Sequence, residues 1–167
     1  MEPTYAYAVY DENQVRAAAG LTMALGAVAF SYAYFAHRYV PLRVVSAFFL
    51  LEFLSRRAVG LRMSPVGVVA RAMTAGRAPE WVSAKPKRFA WTLGLGMAAS
   101  MTVITNSGIR GLLPRTICLT CLTLMWMESV LGLCLGCKLH AVLVRRGWAA
   151  ADPAFEVCPG GECELPA

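Results

Sequence analysis

The six cysteines are the residues of this sequence whose type and spacing most directly predict chemistry. They form three pairs in the last third of the chain: Cys118 and Cys121, Cys134 and Cys137, and Cys158 and Cys163. Two thiols three positions apart on a helix lie about one turn apart, so they can bind one soft cation or close a disulfide. The pattern predicts a soft metal ion (mercury, copper or zinc) or disulfide exchange, with simple burial of the cysteines as the alternative.

Three further side chains near these pairs are candidate auxiliary groups. Glu128 interrupts an apolar run, and we expect it near the bilayer midpoint, where a carboxylate is costly and often functional. The alternative for Glu128 is a protonated carboxyl bonded to Thr102 or Asn106 of a neighbouring helix. Met125 offers a thioether sulfur and His140 a ring nitrogen, although packing of Met125 and an interfacial position of His140 are the simpler explanations.

The composition indicates which elements position these residues. Of the 167 residues, 57% are apolar and 16% are charged, and the mean hydropathy is +0.52. The apolar residues gather into runs close to the ~20 residues that cross a bilayer as a helix. We therefore predict an all-α integral membrane protein with four transmembrane helices, plus a short interfacial helix that begins at Ser64 and Pro65. The predicted spans are 17–36, 41–55, 89–105 and 114–137.

The basic residues predict the orientation of these spans. Sixteen Lys and Arg are present, and an even number of spans places only Arg38, Arg43, Arg110 and Arg115 opposite the termini. The other twelve lie on the side of the termini, which the positive-inside rule assigns to the cytoplasm. We expect them to form a solvated skirt against lipid headgroups, with no nucleic-acid partner. A membrane domain, 1–147, then precedes a cytoplasmic tail, 148–167.

The predicted depth of the three pairs suggests a path. Cys118 and Cys121 are expected near the outer face, Cys134 and Cys137 near the cytoplasmic face, and Cys158 and Cys163 in the cytoplasm. On an unbroken helix the first two pairs would be ~20 Å apart and on opposite faces, which excludes one four-cysteine zinc site. Gly132 and Gly136 have the spacing of a small-residue helix contact.

Four segments resemble a family of bacterial four-helix membrane proteins known only as domain of unknown function four-three-nine-five. They are residues 11–16, Ser64-Pro65, 85–89 and 132–138. The resemblance implies a bacterial inner-membrane location and thioredoxin-like or sulfurtransferase partners, and it draws attention to Cys134 and Cys137. The tail from Cys158 to Ala167 resembles the end of small mercuric-ion transporters.

Three functions fit these observations. The first is a membrane protein, without strong enzymatic character, that handles a soft metal ion, sulfur or thiol–disulfide equivalents. The second is an accessory or scaffold subunit of a larger membrane complex. The third is a quinone-coupled thiol oxidoreductase, which would need a quinone pocket that the sequence does not reveal.

Overall fold

A computed structural model describes residues 9–149, which form six α-helices and one small two-stranded sheet. The elements are β1 (Val9–Asp11), α1 (Glu12–Phe35), α2 (Val40–Ala58), a 3-10 turn (Leu61–Met63), α3 (Pro65–Met73), β2 (Trp81–Ser83), α4 (Ala84–Asn106), α5 (Leu112–Leu131) and α6 (Leu135–Arg145). The helical fold class is confirmed, and the first three predicted spans fall on α1, α2 and α4. The two strands were not expected from the sequence.

Helices α1, α2, α4 and α5 form a bundle in which neighbours along the chain run in opposite directions. Helix α1 packs against α2 and α5, and α2 packs against α4. Buried alanines on α1, among them Ala18, Ala29 and Ala33, leave room for this close packing. We call the end of the bundle that carries β1 and β2 the β end, and the opposite end, with turns 36–39 and 107–111, the loop end.

The strands join the starts of α1 and α4 at the β end. Strand β1 pairs antiparallel with β2, with Val9 opposite Ser83 and Asp11 opposite Trp81. The Asp11 carboxylate also accepts hydrogen bonds from the backbone N–H of Asn13 (3.0 Å) and of Glu80 (3.1 Å). The Asp11 side chain therefore caps α1, where it satisfies an N–H group that the start of a helix leaves free. It also holds the segment before β2 in place.

Helix α3 begins where the sequence predicts. The Ser64 hydroxyl accepts the N–H of Gly67 at 3.1 Å, and Pro65 occupies the first turn. Val66 and Ala70 of this helix belong to the bundle core. The exposed apolar side chains of α3 are instead those of Val68, Val69 and Met73, which can meet an apolar phase without unpacking the core.

Fewer helices of the structure are long and apolar enough to span a membrane than the four that the sequence predicts. Within residues 9–149, α1 is the one helix that by itself is long and apolar enough to cross a membrane. Helices α5 and α6 reach that standard only as a pair, and they are bent by 91° at their junction. Helix α2 falls short because charged residues such as Glu52 and Arg56 interrupt it. One or two helices could thus cross a membrane by length and composition.

Candidate functional site

Cys134 and Cys137 form a disulfide at the start of α6, with their Cα atoms 5.2 Å apart. Cys134 is the N-cap residue of α6, and its sulfur accepts the backbone N–H of Cys137 at 3.2 Å. Cys134 is buried, at 9% exposed, whereas Cys137 is half-buried. The two cysteines of this pair therefore differ in exposure, and Cys137 is the more exposed of the two.

The disulfide exists in this position because the predicted fourth span is broken. The expectation of one helix over 114–137 is wrong: α5 ends at Leu131, and α6 leaves at 91°. Gly132 adopts a left-handed conformation with φ of 68°, which terminates a helix at little steric cost for glycine. Leu133 then donates its N–H to the Met127 carbonyl at 3.0 Å, and this bond closes the turn.

Arg16 of α1 stabilises the break from the side. Its guanidinium donates to the carbonyl oxygens of Ser129 (3.4 Å) and Val130 (3.1 Å), in the last turn of α5. Carbonyls at a helix C-terminus lack intrahelical partners and attract cations, so Arg16 satisfies groups that a continued helix would have used.

Cys118 and Cys121 carry free thiols on α5. Cys118 packs in a core cluster toward the loop end, with Ala29, Leu42 and Met101, while Cys121 is half-buried. Cys118 is therefore packed like an ordinary apolar core residue. It differs from one in two respects: Cys121 lies close by, and both cysteines border a cavity.

A cavity of about 140 Å³ lies inside the bundle and reaches both described cysteine pairs. Its wall includes Cys118 and Cys121 of α5 and Cys134 before α6. Most of its lining is apolar, and α1, α2 and α4 contribute as well as α5 and α6. Because the chain bends at Gly132, Cys134 borders the same space as Cys121. The expectation that the two pairs face opposite ways on one straight helix is therefore wrong.

Two charged side chains, Arg56 and Glu128, also line the cavity, and each belongs to a buried ion pair. Lys87 of α4 lies between two carboxylates: its Nζ is 2.7 Å from Glu12 Oε2 and 3.3 Å from Glu128 Oε1. Glu128 sits one turn before the end of α5, at the β end. Its partner is Lys87, rather than Thr102 or Asn106.

The second ion pair lies within α2. Arg56 Nε donates to Glu52 Oε1 at 2.7 Å, and Arg56 Nη2 donates to the Thr22 hydroxyl of α1 at 3.1 Å. The other Glu52 oxygen accepts the N–H of Val66 at 3.2 Å. The Glu52 side chain therefore connects α2 to the start of α3, and Arg56 compensates its charge.

These contacts change the role of two residues counted in the basic skirt. Arg56 is 2% exposed and Lys87 is 5% exposed, so the expectation that they are solvated is wrong. Burial raises the pKa of the Tyr10 hydroxyl at the same end, and the neighbouring Arg88 only opposes that rise. Tyr10 also contacts the Trp91 ring, with centroids 4.8 Å apart. The side chains of Arg56 and Lys87 are thus shielded from water.

The remaining predicted residues have these positions. Met125 lines the cavity. His140 is buried, with its ring centroid 5.5 Å from that of Phe89.

Gly136 faces Ala90 of α4, where a Cβ would lie 2.6 Å from the Ala90 Cβ, whereas Gly132 lies in the break. Gly132 and Gly136 therefore do not share one helical face. The pair Cys158 and Cys163 lies outside the described residues.

Across residues 9–149, no group of three or more His, Cys, Asp and Glu side chains is arranged to hold a metal ion.

The sequence reasoning missed Glu12, Glu52, Arg56 and Lys87 as parts of the site. The spacing of Glu52 and Arg56, four apart on one helix, was a local signal for their ion pair. Glu12, Lys87 and Glu128 are distant in sequence, and only the helix packing brings them together.

The fold and the site define a small helical-bundle protein with a CxxC disulfide at a helix break and an apolar cavity beside it. The family described as "Domain of unknown function (DUF4395)" matches residues 10–145, so the chain belongs to that family. No curated protein and no solved structure matches the chain. The resemblance of the tail to mercuric-ion transporters gains no support from these comparisons.

Proposed function

We propose that this protein exchanges thiol–disulfide equivalents with dithiol partner proteins at a bacterial inner membrane, through Cys134 and Cys137. The observation that carries the proposal is the disulfide itself. It lies at the N-terminus of α6, where Cys137 is half-buried and Cys134 is buried and borders a cavity. A purely structural disulfide has no need of this asymmetry, whereas exchange requires one sulfur that an incoming thiolate can reach.

The exchange would begin at Cys137. A partner thiolate attacks the Cys137 sulfur, the Cys134–Cys137 bond breaks, and its electron pair remains on Cys134. The N-cap position suits this leaving thiolate, because the Cys137 N–H points at the Cys134 sulfur and a helix N-terminus favours negative charge.

The second half of the exchange completes the balance. A second partner thiolate attacks the partner's sulfur in the mixed disulfide and releases Cys137. The partner loses two electrons and gains a disulfide, and its two thiol protons end on Cys134 and Cys137.

Four transmembrane helices, α1, α2, α4 and α5, form the membrane part of this proposal. At 1.5 Å per residue, helices of 19 to 24 residues are long enough for the ~30 Å hydrocarbon layer. Their outer faces expose large apolar side chains, such as Val28, Leu51, Val103 and Leu119, more extensively than a water-facing surface favours. Of the four charged residues of α2, Glu52 and Arg56 form a buried pair, whereas Arg43 and Arg57 lie near the two ends of the helix.

The orientation in the proposal places the β end and both termini in the cytoplasm. Its support is the excess of Lys and Arg on that side of the predicted spans. The exchange site would then face cytoplasmic thiols and proteins, including thioredoxin-like or sulfurtransferase partners.

The test is a redox titration of the purified protein in detergent micelles. Cys158 and Cys163 are replaced by serine to isolate the membrane pairs, and free thiols are counted with a maleimide polymer that shifts the protein on a gel. We expect two additional free thiols per protein as the ratio of reduced to oxidised dithiothreitol rises. The protein should remain folded throughout the titration. The matched variant Cys118→Ser, Cys121→Ser should titrate in the same way, whereas Cys137→Ser should lose the transition.

Two results would contradict the proposal and favour the other functions. If the disulfide is reduced only after the protein unfolds, it is structural, and the accessory-subunit function gains support. If the reduced pair binds Hg(II) or Cu(I) but never exchanges with a dithiol, handling of a soft metal ion by two thiolates fits better.

A further inference from the structure

The internal cavity has the size and lining of a binding site for one small ring. Its volume of about 140 Å³ is close to the ~150 Å³ of a dry protein cavity that accepts benzene. The walls are mainly apolar, with the charged groups of Arg56 and Glu128 at the β end. An apolar pocket with a few convergent polar groups is typical of a site for a small molecule, here an apolar ring with a few polar atoms.

The cavity also reaches the outside of the bundle. Two of its lining side chains, Leu93 of α4 and Leu135 of α6, are 41% and 42% exposed. Both are apolar, so the opening beside them suits a ligand that arrives from a lipid phase rather than from water. A ring with a long hydrocarbon tail could leave its tail outside at this point.

The sulfur atoms at the cavity wall narrow the class of ligand. Cys134 borders the cavity and is one half of the disulfide, so a molecule bound there contacts the reacting pair. A ligand that is apolar, ring-shaped, carries polar atoms and accepts two electrons from a dithiol is a quinone. We propose that the cavity binds the ring of a lipid-soluble quinone, which reoxidises Cys134 and Cys137; this inference rests on the proposed function.

The proposed step balances without another reactant. The reduced Cys134 and Cys137 thiols give up two electrons and two protons, and the sulfur–sulfur bond forms. The quinone ring takes the two electrons, and each of its two carbonyl oxygens takes one proton to give the hydroquinone. Arg56 lies in the wall, where its guanidinium can donate a hydrogen bond to a carbonyl oxygen of the ring.

The inference also gives a reason for the break between α5 and α6. Cys121 lies ten residues before Leu131, the end of α5, which corresponds to ~15 Å along the axis of that helix. Because the break places Cys134 at the cavity, a ligand bound there contacts Cys134 directly. The Cys118–Cys121 pair and the Cys134–Cys137 pair do not have to touch each other.

The experiment uses the full chain in detergent micelles with a short-chain ubiquinone, whose fully substituted ring leaves no free ring position for a thiol. The protein is reduced, freed of reductant and mixed with the quinone, and the loss of quinone absorbance in the ultraviolet is followed. Ala98 lines the cavity, so Ala98→Leu fills part of it, while Ala99→Leu on the same helix lies outside the lining. The Cys158→Ser, Cys163→Ser background removes the tail thiols.

We expect the parent protein to reduce one quinone per disulfide formed. Ala98→Leu should slow the reaction about tenfold, equivalent to about 1.4 kcal/mol, and Ala99→Leu should leave the rate close to that of the parent. Exchange with dithiothreitol should be the same in all three proteins. If Ala98→Leu does not fold, Ala98→Val is measured instead, and added quinone should raise the thermal midpoint of the oxidised parent protein.

Failure of this inference is distinguishable from failure of the proposed function. A parent protein that exchanges with dithiothreitol but neither binds nor reduces the quinone overturns the inference and leaves the function standing. Equal losses in Ala98→Leu and Ala99→Leu also overturn it, because the effect would then not depend on the cavity. A parent protein that does not exchange with any dithiol overturns both.

Discussion

Replacing Glu52 by glutamine tests whether buried charge holds the β end together. Glu52 is fully buried, and Arg56, 2.7 Å away, is nearly so, which places the pair among buried rather than surface salt bridges. Removing one partner of such a pair costs about 3 to 5 kcal/mol, whereas an exposed pair contributes about 0 to 1. Glutamine retains an oxygen that can accept the Val66 N–H, so the lost interaction is mainly the charge.

We expect Glu52→Gln to lower the free energy of unfolding by about 3 kcal/mol, at the low end of that range because the second hydrogen bond survives. Arg56→Met should cost at least as much, since it leaves a buried carboxylate unpaired. The double variant Glu52→Gln, Arg56→Met removes both charges and should be less destabilised than Arg56→Met alone, because neutral replacement of a buried pair is often nearly neutral.

The assay is unfolding in mixed micelles, followed by tryptophan fluorescence, since Trp91 is buried in the same core. Arg57→Met is the matched control, because Arg57 is the exposed neighbour and should change stability by no more than about 0.5 kcal/mol. If the two single effects add in the double variant, or if Glu52→Gln costs less than about 1 kcal/mol, the reasoning from burial is wrong.

Two further changes test the contacts that position the disulfide and the β end. Gly136→Ala would place a Cβ 2.6 Å from the Ala90 Cβ, so α6 must move from α4; we expect a loss of about 1 to 3 kcal/mol in micelle unfolding. Gly96→Ala, on open surface of α4, should instead stabilise slightly, and equal losses in both would refute the packing argument. Asp11→Ala removes the cap of α1 and the bond to the Glu80 N–H. It should cost about 1 to 2 kcal/mol and speed proteolysis around Glu80, and unchanged cleavage there would contradict this.

The helices of the bundle could be predicted from the sequence because apolar runs and turn residues are local signals. Ser64 and Pro65 mark the start of α3, and the structure places the N-cap there. The strands could not be predicted in this way. Val9 to Asp11 and Trp81 to Ser83 are too short to show an alternating pattern, and each forms a strand by pairing with the other, a contact between residues distant in sequence.

The break after α5 was missed for a different physical reason. The run from Leu112 to Val144 is almost continuously apolar, and hydrophobicity alone does not distinguish a straight helix from two helices with a turn. Gly132 was the local signal, since glycine commonly ends helices in a left-handed conformation. Two residues later Cys134 provides a side chain that caps the next helix.

The charged residues are the part of the site that the sequence could least reveal. A count of Lys and Arg treats each as a surface charge, yet the ion pairs of Lys87 join α1, α4 and α5. Glu12, Glu52 and Glu128 would be expensive in a dry interior, and Lys87 and Arg56 compensate them within hydrogen-bond distance.

The break and the charges together account for where the disulfide lies. Were α5 to continue straight beyond Leu131, Cys134 would move away from the cavity that Cys121 borders. Gly132 ends the helix, and Arg16 bonds the carbonyls that the missing turn would have used. Glu128, one turn earlier, is fixed by Lys87, so the end of α5 is held from α1 and from α4. The geometry of the cysteine pair therefore depends on residues that carry no sulfur.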